Sequence, residues 1–202
     1  MDPTVAPPAW AEGVLRLVLS SRDRDTVSGD LLEAYRDSVR PARGGGAADR
    51  WYVAQVMGFV WRRHWLLAIG LGLATVARTG LDWLSPPSDF HTRATMSTLI
   101  GVGTFACAGL WAAWRSRSIA SAALAGLVTA IMAATVSIVG ALVLLAIWHD
   151  DRTLSAIAGS GGLAEVFTLP LVLAIPGVVL GTIGGIVGRT ATGGSAQRRL
   201  RG

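Results

Sequence analysis

Arg78 and Asp82 stand four residues apart inside an otherwise apolar run, Trp65–Leu84. On a helix that spacing stacks guanidinium and carboxylate on one face, a turn apart. Ionised groups at membrane depth are costly, and those that persist face protein or water. The pair therefore reads either as part of a relay for protons or ions, or as an intrahelical ion pair stretching toward the nearer interface. Glu165 opens another apolar run at the same end and is either a partner for Arg78 or a headgroup-level carboxylate. Arg78, Asp82 and Glu165 are the intramembrane polar candidates.

A second constellation lies in LPLVLAIPGVVLGTIGGIVGR. Pro170 and Pro176 predict kinks. Gly177, Gly181 and Gly185, together with Gly184 and Gly188, supply overlapping GxxxG spacings that let a neighbouring backbone come close, either as fixed helix packing or as a gating hinge. His149, Asp150 and Asp151 are metal ligands by type. Three adjacent residues seldom converge on one ion, however, so they read as an acidic, solvated loop. There is no Ser/His/Asp order of the hydrolase kind, no phosphate-binding glycine loop and no zinc spacing. No catalytic residue, metal or cofactor is expected, and an enzyme is not. Cys107, the single cysteine, excludes an intrachain disulfide and reads as a small buried thiol.

The elements that must carry these residues are set by composition. The chain has 202 residues, 51% of them hydrophobic and only 15% charged, which places it among integral membrane proteins. Four apolar stretches, roughly Trp65–Leu84, Ala94–Trp114, Ile119–Trp148 and Leu163–Val187, each reach the ~20 residues that a helix needs to cross a bilayer core. The fold expected is all-α: a polytopic membrane protein with four transmembrane helices and a small N-terminal cytosolic helical module. Residues 1–64 form that module, 65–188 the transmembrane domain and 189–202 a basic cytosolic tail.

Every one of the 18 basic side chains is arginine, against 13 carboxylates. The surplus flanks apolar runs rather than forming one stripe, so it speaks for topology and against nucleic acid. Arg62 and Arg63 precede the first span, Arg115 and Arg117 separate the second from the third, and Arg189, Arg198, Arg199 and Arg201 follow the fourth. By the positive-inside rule these lie on one side, with both termini cytoplasmic in a multi-pass protein of the inner, cytoplasmic membrane. Trp65, Trp83, Trp111, Trp114 and Trp148 fall near the span ends, where indoles favour the interface. The start, MDPTVAPPAW, lacks the basic and apolar regions of a cleaved signal.

Within residues 1–64, Pro7 and Pro8 suit a helix start, followed by Trp10, Val14, Leu17 and Val18 at helical spacing. Ser20 and Asp23 are placed as a capping box for a second helix, with Val27, Leu31, Tyr35 and Val39 on its apolar face and Pro41 at its end. Gly44–Gly46 read as a hinge. Asp49 then caps a third helix with Trp51, Val56, Phe59 and Val60, which runs toward the first span. The charges of SGDLLEAYRD, notably Asp30, Glu33 and Arg36, form the wet face of the second helix.

The stretch PPAWAEGVLRLVLSSRDRDTVSGDLLEAYRDSVRP, followed by ADRWYVAQVMGFVWR, resembles the bacterial permease prefix domain. The matching residues are Pro7, Pro8, Gly29, Asp30, Leu31, Leu32, Glu33, Tyr35 and Arg36, then Arg50, Trp51, Tyr52 and Gln55. The resemblance covers residues 7 to 60. In that family the module stands before MacB/FtsX-like permeases, which carry a large extracytoplasmic domain after their first span. Here the corresponding loop, Ser85 to Arg93, is short, so the resemblance implies a shared module and not a shared transporter. The expectation is a membrane-anchored interaction or regulatory protein, embedded in membrane lipid, whose module binds a cytosolic or membrane protein through Asp30, Glu33 and Arg36. The alternative is a small transporter or permease-associated subunit acting as a homo-oligomer.

Overall fold

The computed structural model describes residues 6–20, 22–84, 90–159, 167–168 and 170–199. The fold is all-α. Helices α1 (Ala9–Val18), α2 (Arg24–Glu33) and α3 (Arg40–Arg43) lead into α4 (Gly45–Leu84), and α5 (Phe90–Ser116), α6 (Ile119–Ile147), α7 (Asp151–Gly159) and α8 (Ala174–Arg199) complete it. Four helical segments are long and apolar enough to cross a membrane: Gly45–Leu84, Thr95–Ser116, Ile119–Ile147 and Pro170–Thr190.

At 40 residues, α4 is about 60 Å long, twice the ~30 Å bilayer core. Its second half is the first span and its first half projects beyond it. Residue 64 is thus no break in the chain, and α8 likewise runs unbroken past residue 188. Close contacts set the helix directions. Gly72 lies against Ala133 and Val136, Gly140 against Val76 and Gly80 against Leu144, so α4 and α6 run parallel. Gly109 meets Gly181 and Gly185 lies near Ala113, so α5 and α8 run parallel as well. Gly126 meets Gly177 and Gly181, and Gly185 meets Ala122, making α6 and α8 antiparallel. Central to the bundle is α6, which touches α4, α5 and α8 and buries a row of small residues, Ala122, Ala125, Ala130, Ala133, Ala134 and Ala141.

The projecting half of α4 forms a second core with the N-terminal helices. Ala11, Leu15 and Leu19 pack with Tyr35, Ala48, Tyr52 and Val56, and Val27, Leu31 and Val39 lie against them. The face of α1 matches the sequence expectation in part: Val18 is buried and Val14 packs against the core, whereas Trp10 is 59% exposed and Ala11 and Leu15 are buried in its place. Small Ala11 allows α1 to lie close on α4, with the packed face rotated about the helix axis away from Trp10.

Pro41 does not end the second helix. A π-helical stretch, Ala34–Val39, closes with the Arg40 N–H donating to the Tyr35 carbonyl, and α3 then carries Pro41 in its first turn. The wide turn takes carbonyls out of the way of the proline ring, which would collide with them in a regular ladder. The break comes at Gly44, whose φ of +77° suits glycine. Gly45 and Gly46 already belong to α4, so the three glycines are one sharp corner and not a hinge.

The stretch after the third span, expected as a loop, contains α7. Thr153 donates to Asp150 Oδ1 at 2.6 Å, and the Leu154 N–H donates to the Asp150 carbonyl at 3.0 Å, so Asp150 caps a helix that buries Thr153 and Ile157 against α4. Among the described residues no group of His, Cys, Asp and Glu is placed to hold a metal. Cys107, expected to be buried, is exposed on the outer side of α5, where the membrane and not the protein would cover it.

Candidate functional site

Three places carry the candidate residues. The first is the end of the α4–α5 pair where α4 finishes and α5 begins. Arg78 Nε lies 3.4 Å from Asp82 Oδ2, and Arg78 Nη1 donates to Ser97 Oγ on α5 at 2.7 Å. The two charged side chains are 30% and 20% exposed, so the pair is half withdrawn from its surroundings rather than snorkelled free. One guanidinium thereby satisfies a carboxylate one turn away and ties two spans together, which a planar fork of five donors can do and an ammonium does less well. Ser97 was not legible as a partner: a lone serine in an apolar stretch carries no periodic signal. Glu165 lies outside the described residues.

The second place is the packing seam of α8. A Cβ added at Gly177 would fall 2.8 Å from Ala130 Cβ, at Gly181 2.7 Å from the Ala122 carbonyl oxygen and at Gly184 2.2 Å from that of Ala106. At Gly185 it would meet Ala122 Cβ at 2.4 Å, and at Gly188 the Leu110 carbonyl oxygen at 3.2 Å. Gly184 and Gly188 thus serve α5, Gly177 serves α6, and Gly181 and Gly185 sit between the two. The partners on the facing helices, Gly109 and Gly126, were missed because each stands without a second glycine at four-residue spacing. Pro176 sits in the first turn of α8, just after a turn at Leu173, and the Gly177 N–H bonds the Leu173 carbonyl at 2.9 Å. The turn at Leu173 therefore interrupts the span a few residues ahead of Pro176, and the glycine seam lies wholly within α8.

The third place is the N-terminal unit. Tyr35 is fully buried. Its phenol donates to Asp49 Oδ1 at 2.6 Å, and its ring meets that of Tyr52 edge-on at 5.8 Å. Burial first, and then the Asp49 carboxylate, hold the phenol above its ordinary pKa, so it stays a proton donor. Asp49 therefore locks the second helix to α4 and does not cap the third helix. Around this lock the outward positions are wet: Asp30 and Glu33 are exposed, and Arg36, inside the π-helical stretch, is half-buried. A shallow groove of about 210 Å³ runs beside them between α1 and α2, lined by Glu12, Arg16, Arg24, Asp25, Ser28, Gly29 and Leu32. Arg16 donates to Glu12 across one turn of α1. Gly29 has nothing within 4 Å of where a Cβ would stand, so no neighbour in this chain requires glycine there.

No family model, curated protein or solved structure matches this chain.

Proposed function

We propose that this protein is a membrane-anchored interaction or regulatory protein. Four spans hold its N-terminal helical module at the cytoplasmic face of the inner membrane, and that module binds a protein partner. The observation that carries the reading is the contrast within one short helix. Leu31 and Tyr35 are committed to a core, whereas Asp30 and Glu33 are exposed beside a groove floored by a glycine that its own chain does not need. A mid-helix glycine costs about 1 kcal/mol relative to alanine, and open space above it suits the close approach of another backbone. Asp30, Glu33 and Arg36 supply the charges that set encounter rate and specificity. The resemblance of residues 7 to 60 to the permease prefix domain supports the same reading.

The test is affinity purification of the full chain from native membranes, with Asp30→Arg/Glu33→Arg beside the parent. The reversed pair folds, because exposed charges seldom contribute more than about 1 kcal/mol, and loses the co-purifying protein. A reversed chain that stays folded and keeps every partner removes the binding role from this face. A second reading, a small permease-associated or transport subunit, draws on the Arg78–Asp82–Ser97 group within the first two spans.

A further inference from the structure

The turn between α5 and α6 consists of Arg117 and Ser118, and it is tightly held. Ser116 Oγ donates to the Ala112 carbonyl at 2.7 Å, the Arg117 N–H bonds the Ala113 carbonyl at 2.7 Å, and Ser118 Oγ accepts from the Ser121 N–H at 3.3 Å. Arg117 has φ +55°, the left-handed conformation that follows the last turn of a helix. Glycine is the residue that adopts it without strain, and this chain uses 25 glycines. An arginine is held there instead, exposed at the very end of the bundle.

Its surroundings share one character. Arg115, in the preceding turn, is exposed, and its charge repels that of Arg63 on α4, which is half-buried beside the exposed Arg62. Among the described residues none of these four arginines makes an ion pair, although Asp23 attracts Arg63 from beyond that distance. Directly beside them Trp111 and Trp114 form a T-shaped pair, with ring centroids 6.2 Å apart, 55% and 62% exposed. Exposed indoles at the end of a span favour the plane where acyl chains give way to headgroups. Arg115 and Arg117 stand exposed and without an ion pair among the described residues, on a rigid turn that accepts backbone strain to hold one of them, an arrangement suited to an anion from outside the chain. The adjoining indoles say that this anion is attached to lipid.

We propose that Arg115 and Arg117, with Trp111 and Trp114 and with Arg63 on α4, form a binding surface for the phosphate headgroup of anionic phospholipids. This does not depend on the N-terminal module having a protein partner. Acyl chains lie on the exposed indoles and the headgroup phosphate is shared among the guanidinium donors, whose planar forks suit phosphate.

The test uses the full chain in vesicles of phosphatidylcholine mixed with phosphatidylglycerol, with one lipid brominated at a time. Tryptophan quenching by each reports which lipid occupies the protein surface. Brominated phosphatidylglycerol is expected to quench beyond its share of the bilayer. Arg115→Gln and Arg117→Gln should each lower that preference roughly five-fold, as expected for one arginine near a charged surface. Arg117→Gly relieves the strained φ, so it folds at least as well as the parent, and it must lose the preference to the same extent. Arg50→Gln, on the far half of α4, keeps it. Quenching in proportion to composition, a preference untouched by Arg117→Gly, or its erasure by inorganic phosphate at matched ionic strength overturns the proposal.

Discussion

Gly126→Ala is the sharpest test of how the spans are held together. The added Cβ would stand 2.0 Å from the Gly177 carbonyl oxygen and 2.8 Å from its carbon. Ordinary van der Waals contact begins near 3.4 Å, so α6 and α8 must part by about 1.4 Å at their crossing. Backbone cannot swing aside as a side chain can, and the separation also loosens the neighbouring contacts of Gly181 and Gly185 with α6. Lipid tails are as apolar as the helices, so close packing is what holds spans together, and its loss is not compensated by renewed burial. Overpacking of this kind costs about 1–3 kcal/mol, and here the upper end applies. Gly70→Ala is the matched control: the same chemical change, on α4, with nothing within 4 Å of the new methyl. It should be neutral or stabilising by up to ~1 kcal/mol through helix propensity. Unfolding of the full chain in mixed micelles, by raising the fraction of denaturing detergent and following helicity, gives both midpoints. A Gly126→Ala midpoint equal to or above that of Gly70→Ala would refute the backbone-contact account of this bundle.

Two further predictions concern groups whose hydrogen bonding differs. Tyr35→Phe removes the donor that binds Asp49 and should cost about 1.5–3 kcal/mol, as for a hydrogen bond to a charged group. Tyr52→Phe should be neutral or stabilising, since the Tyr52 hydroxyl is enclosed without a partner among the described residues. Limited proteolysis of the N-terminal half in the intact protein reads both, and the reverse order would mean that the Tyr35 lock is not formed. At the other end of the bundle, Arg78→Ala removes the guanidinium beside Asp82 and should cost about 1–3 kcal/mol, below the value for fully buried pairs because both side chains are partly exposed. Ser97→Ala should cost less, and the double variant should fall short of the sum of the two. Additive losses in a detergent unfolding series would show that Arg78 does not join α4 to α5.

Residue types and their order were sufficient for the all-α class and the four spans, because a bilayer imposes a length and an apolarity that any reader of hydropathy can measure. The same holds for the apolar face of the second helix, where Val27, Leu31, Tyr35 and Val39 keep helical spacing. Only the tertiary structure decided what each element packs against. On α1, Val14 and Val18 follow the helical spacing, but Trp10, which dominates any hydrophobicity count, is exposed, and small Ala11 and Leu15 make the contact with the core. By residue type Pro41 signals a stop, yet its effect depends on the width of the preceding turn, a property of backbone hydrogen bonding that residue type does not reveal. Gly177 and its neighbours announce a seam by their spacing, yet Gly109 and Gly126 are solitary, and Ser97 and Asp49 take their roles from partners 19 and 14 residues away. Local periodicity reports which face of a helix is apolar; the distance at which two helices meet, and the groups that meet there, are set by pairs of residues that the linear order keeps apart.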